Sequence, residues 1–164
     1  MGVVLVASKK VTDLLKQKKI YQILRPKCVN CLPDLTLQQA LDLMRREKSG
    51  YIVVADEHMK VIGLFTERDV LMKVLRPGVG LNEPMKKYMN SDPPILSKKD
   101  TVGSVIETMN SCNVRHIPLV DELGQMTGVL SARTIINFLA ELFPVEVFNL
   151  PPRADQIHHT VEGG

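Results

Sequence analysis

Residues 63–69 read GLFTERD, and residues 128–134 read GVLSART. The two phrases lie 65 residues apart. The same ungapped shift carries Thr36 onto Thr101, Met44 onto Met109, Ile52 onto Ile117, Asp56-Glu57 onto Asp121-Glu122 and Arg68 onto Arg133. Two copies of so long a period describe a duplicated unit and not a solenoid. One chemically important position breaks the likeness: Asp69 falls on Thr134.

Working outward, each copy has the same plan. Leu37, Ala40, Leu41 and Met44 recur at i, i+3, i+4 and i+7, the spacing of an amphipathic helix, and Val102, Val105, Ile106 and Met109 repeat it. YIVV at 51–54 and IPLV at 117–120 are short continuous apolar runs, as buried strands are. DEHMK and DELGQ are polar turns, VIGLF and MTGVL second strands, and Thr66 or Ser131 caps a further helix. With first strands near Cys28–Cys31 and Pro94–Leu96, the order is strand, helix, strand, strand, helix. This predicts an α/β (α+β) fold divided into an N-terminal helical segment (1–24), repeat 1 (25–75), a linker (76–88), repeat 2 (89–142) and a Pro-rich C-terminal tail (143–164).

The bulk composition agrees. Of 164 residues, 45% are hydrophobic and 24% charged, an ordinary globular balance. Four Phe, three Tyr and no Trp leave an aliphatic core assisted by eight Met. A net charge of +3 gives no footprint for nucleic acid but suits a small anion. Three Cys are too few for a disulfide framework, and no stretch approaches the roughly 20 apolar residues of a membrane span, so a cytoplasmic setting is expected.

The repeated phrase admits two readings. Thr66 followed by Asp69 is a capping box, in which the acid bonds the Thr66 N–H. Alternatively, the helix tip and the Thr66 hydroxyl receive a phosphate, while Asp69, one turn on, accepts hydrogen bonds from a ribose diol. These are the needs of a nucleoside phosphate.

The stretches VVADEHMKVIGLFTERDVL (53–71) and VRHIPLVDELGQMTGVLSARTII (114–136) resemble the cystathionine-β-synthase (CBS) domain, which occurs in tandem pairs called Bateman modules. The resemblance covers about residues 11–142. It implies two βαββα units related by a pseudo-two-fold axis, packed through their sheets, with two clefts between them. It also implies an adenosine nucleotide (AMP, ADP or ATP type) as regulatory ligand, no obligatory cofactor, a homodimer and an unidentified regulated partner. Carried over, it places Asp69 on the ribose and Thr66 on the phosphate, with Leu64 alongside. Met89, Pro94 and Val114 form the purine wall, with Arg115 and His116 at mid-cleft. A weaker mirror cleft uses Ser131, Arg133 and Thr134 against Val29, Gly50 and Tyr51. The alternative is a dimerisation scaffold with vestigial clefts. No catalytic constellation, P-loop or metal-ligand set is recognisable, and the Cys28–Cys31 pair reads as small buried hydrophobes.

Overall fold

The computed structural model describes residues 11–24 and 28–142. Residues 11–17 form helix α1, and a 3-10 turn follows at Ile20–Gln22. The first unit contains β1 (Asn30–Cys31), α2 (Leu37–Glu47), β2 (Tyr51–Ala55), β3 (Val61–Thr66) and α3 (Glu67–Asp69), which runs into a π turn at Val70–Val74. A 3-10 turn at Met85–Lys87 introduces the second unit: β4 (Leu96–Ser97), α4 (Val102–Ser111), β5 (His116–Val120), β6 (Met126–Ser131) and α5 (Ala132–Leu142). The C-terminal tail expected at 143–164 lies outside the described residues.

Each unit carries a three-stranded sheet, ordered β1-β2-β3 and β4-β5-β6, with the first pair parallel and the second antiparallel. Tyr51 pairs with Thr66, and His116 with Ser131, one repeat later. Both antiparallel ladders slip at the same place, between Val54 and Ala55 and between Leu119 and Val120. The parallel ladders differ for a covalent reason. The Val53 N–H donates to the Val29 carbonyl at 2.9 Å, whereas its counterpart Pro118 has no N–H, and β4 pairing begins one residue further on at Leu96–Leu119.

The helices start where their caps predict. Thr36 accepts from the Gln39 N–H while the Gln39 side chain accepts from the Thr36 N–H, and Thr101 accepts from the Ser104 N–H. Left-handed residues follow at equivalent positions, Lys48 (φ 49°) capping α2 and Asn113 (φ 52°) one residue past the Cys112 cap of α4.

Three apolar clusters hold the units. One lies within the first unit around Ile52, Val54 and Phe65, and one within the second around Ile117, Leu119 and Leu130. The third joins Val53 and Leu64 to Met126 and Val129, so the two units meet through their sheets.

The leading segments cross over. Ile20, expected to belong to a separate N-terminal segment, is wholly buried in the core of the second unit. Met85, expected in the linker, is wholly buried in the core of the first. The main chain repeats the exchange. The Ile20 N–H donates to the Asp100 carbonyl at 3.0 Å, and the Met85 N–H to the Leu35 carbonyl at 2.9 Å. Each arm also satisfies the start of the facing helix: Val102 N–H to Lys18, and Leu37 N–H to Glu83. Full burial of an Ile or Met side chain contributes roughly 1.5–3 kcal/mol, so each unit leans substantially on the other's arm.

The helix expected after Thr66 is short. One α turn gives way to a π turn that closes with the Leu75 N–H on the Val70 carbonyl, just before Pro77 and Gly78. Leu71, read as an apolar position of that helix, is 66% exposed, and its counterpart Ile136 is 64% exposed.

Candidate functional site

Asp69 is buried and fully engaged. Its Oδ2 accepts from the Thr66 N–H at 2.9 Å and from the Thr66 hydroxyl at 2.7 Å. Its Oδ1 pairs with Lys73 Nζ at 2.7 Å, and Lys73 also donates to the Tyr88 carbonyl at 2.8 Å. Of the two sequence readings, this geometry is the capping box. The neighbouring wall is tied down too. Leu64 and Asn90 exchange backbone hydrogen bonds of 2.8 and 2.9 Å, and Met89 lies so close to Gly63 that an added Cβ would come within 2.4 Å of its sulfur. Only glycine admits that approach. Pro94 is half-buried, and Val114 packs against the second unit's core.

An open cleft of about 1170 Å³ lies between the two units, and its lining includes the equivalent pairs Gly50 and Arg115, Tyr51 and His116, Glu67 and Ala132, and Leu71 and Ile136. It gathers all six residues of the mirror set: Val29, Gly50, Tyr51, Ser131, Arg133 and Thr134. Arg115 and His116, expected beside Asp69, line this cleft. The reason is topological. They stand at the start of β5, beside the end of β6 and the start of α5, and the Ala132 N–H donates to the Arg115 carbonyl at 2.9 Å. The Thr134 hydroxyl is 2.9 Å from the Ser131 hydroxyl, which also accepts from the Thr134 N–H at 3.2 Å. The helix is therefore capped without a carboxylate.

Sequence reading missed Arg45, Lys48 and Glu67, which also line the cleft. The repeat held a signal for them. Its shift puts uncharged Asn110 and Asn113 opposite Arg45 and Lys48, Gly50 opposite Arg115, and Ala132 opposite Glu67. The Glu67 carboxyl group rests on Gly50, 3.0 Å from where a Cβ would stand.

Burial, and Arg115 second, hold His116 below the ordinary histidine value, so it is neutral at pH 7. Burial, with Cys28 adding to it, pushes Tyr51 up to about 12 against a backbone hydrogen bond with Val29. Burial also raises Cys28 and Cys31 to about 11, which keeps both as thiols and poor nucleophiles. Among the described residues, no group of three or more His, Cys, Asp or Glu is placed to hold a metal ion, and no helix is long and apolar enough to cross a membrane.

With two matched units and a cleft between them, comparison with known proteins defines the class. The CBS domain family matches twice, at residues 20–76 and 85–141, and the chain belongs to that family. The matches begin at the two arm residues, Ile20 and Met85. A relative from Acidianus ambivalens, an uncharacterized 17.7 kDa protein, is 26% identical over 128 residues, covering 78% of this chain and 77% of its own. A CBS domain protein from Pyrobaculum aerophilum, solved in complex with AMP, superposes with a TM-score of 0.69 at 23% identity, covering 79% of this chain and 98% of that one. A CBS domain pair solved with 5′-methylthioadenosine and S-adenosyl-L-methionine gives a TM-score of 0.68 at 16% identity, covering 74% and 99%.

Proposed function

We propose that the protein is a regulatory module that holds an adenosine nucleotide in the Thr134 cleft and passes its bound state to a partner protein. The observation that carries this reading is the cleft's composition. Tyr51, Gly50 and Glu67 come from one unit, and Arg115, His116 and Ser131 from the other. A ligand there touches both units, so its binding energy depends on how they are set, and it shifts the population toward the arrangement that fits it. The complexes of the two structural neighbours, with AMP and with S-adenosylmethionine and methylthioadenosine, support an adenosine compound as the ligand class. No catalytic residue is assigned. The exposed equivalents Leu71 and Ile136, on the π turn and α5 at the rim of the cleft, fit a second copy docking beside it, as a homodimer.

Thermal shift with AMP, ADP, ATP and S-adenosylmethionine tests the reading. A ligand at 100 times its dissociation constant adds about 2.7 kcal/mol. Mass spectrometry of small molecules released from the denatured protein then identifies what it carries. Absence of any shift favours the second reading, a scaffold with vestigial clefts. That reading is motivated by the closed hydrogen bonding of Asp69.

A further inference from the structure

The two halves have diverged in charge, and several of the differences fall in the open cleft. Arg45, Lys48 and Arg115 stand where the other half has Asn110, Asn113 and Gly50, and Thr134 stands where it has Asp69. Arg45 is engaged with Asp42 at 3.3 Å. Among the described residues, Lys48, Arg115 and Arg133 have no ion-pair partner. By contrast Arg68, the counterpart of Arg133, is spent on the Asn113 carbonyl at 2.8 Å. The carboxylates lining the cleft are Glu47, 3.2 Å from Arg46, and Glu67, leaning on Gly50. The cleft thus offers three cations without an ion pair among the described residues, Lys48 from the first half and Arg115 and Arg133 from the second, and no acid at position 134, where the first half has Asp69.

We propose that the Thr134 cleft selects a nucleoside polyphosphate by its phosphates and does not read the ribose diol. This rests on the reading of the cleft as an adenosine-nucleotide site. A diol is gripped by a carboxylate because a charged acceptor takes both hydroxyl protons in strong hydrogen bonds. Thr134 offers one neutral hydroxyl, already bonded to Ser131. Loss of the 2′-hydroxyl therefore removes little. Each further phosphate, however, meets Lys48, Arg115 or Arg133, which bind as charge-assisted donors, the arginines in two-pronged geometry.

The test is calorimetric titration of the whole chain with ATP, dATP, AMP and inorganic tripolyphosphate at fixed salt. ATP and dATP bind within about twofold of each other, AMP about tenfold more weakly, and tripolyphosphate displaces ATP. Arg115→Ala, a change at an exposed side chain, weakens ATP about tenfold and AMP much less. Thr134→Asp places an acid beside Ser131 without the lysine that occupies Asp69, since Phe138 stands where the first half has Lys73; its outer oxygen is left for a diol, and dATP becomes weaker than ATP. If wild-type protein already binds dATP tenfold more weakly than ATP, or binds AMP as tightly as ATP, the inference is overturned while nucleotide sensing stands. The same holds if S-adenosylmethionine binds and the polyphosphates do not. If no adenosine compound binds, both are overturned.

Discussion

Tyr51 and His116 occupy the same position in the two repeats, and their rings meet across the pseudo-axis, centroids 4.8 Å apart and planes at 40°. Each opens the central strand of its sheet, facing Thr66 and Ser131 respectively. A contact between symmetry mates at the floor of the cleft makes this pair a sensor of how the units are set. It also puts a titratable ring where the units join.

The first prediction concerns acid stability. Folded His116 takes a proton less readily than unfolded His116, because burial and Arg115 disfavour its charge. The unfolded chain therefore binds more protons in this window, and stability rises with pH. The contribution is present above the ordinary value of 6.5 and lost as pH falls below it. Thermal melting of wild type should drop between about pH 7.5 and 5.5, above the carboxylate range, and His116→Gln should drop less. Equal slopes for the two proteins would refute the assignment.

The second concerns the exchanged arms. Ile20→Ala and Met85→Ala should each cost about 2–5 kcal/mol, as large-to-small changes at fully buried sites do. Because each residue plugs the opposite unit, urea unfolding followed by far-UV circular dichroism should stay a single transition in both variants. Two resolved transitions would mean that the units fold independently and the arms merely dock.

The third separates the cap from the ligand. Asp69→Ala removes the acceptor of two hydrogen bonds and the partner of Lys73, and should cost about 1–3 kcal/mol of stability. Nucleotide affinity, measured by calorimetry, should stay within about twofold, since the Thr134 cleft does not contain this residue. A large loss of affinity in a variant that still melts cooperatively would return the site to the Asp69 side.

The fourth compares the two glycines of the repeated phrase. A methyl at Gly63 meets the Met89 sulfur at 2.4 Å and the Asn90 carbonyl at 3.1 Å. At Gly128 it meets only the Leu24 methyl groups, at 3.3 and 3.4 Å, and its branch carbon at 3.8 Å. Gly63→Ala should therefore cost about 1–3 kcal/mol and Gly128→Ala less, by chemical denaturation.

Much of the fold was legible because its signals are local. Residues 37–44 and 102–109 carry helical spacing, YIVV and IPLV are strands, and one shift aligns both units. What escaped the reading is what the chain decides at long range. Ile20 and Met85 sit in 3-10 turns too short to show a period, so nothing local told that they bury in opposite units. The helix after Thr66 is present, but its passage into π geometry at Val70–Val74 has no signature in its apolar spacing. At the site, an acid after Thr66 is equally suited to a diol and to a cap, and letters alone do not choose. Arg115 and His116 line the same cleft as their counterparts Gly50 and Tyr51, which depends on how the two units are set against each other. That is a property of the assembled pair.

The crossing of the arms bears on the chain's ancestry. A lone half would carry a plug for a neighbour and a hole of its own, so a single-unit forebear would have been stable only as two copies trading segments. Fusing the copies into one polypeptide freed each from having to match the other. After that, the first half could keep the acid that ties down its backbone and carry Arg45 and Lys48, while the second exchanged the acid for Thr134 and carried Arg115.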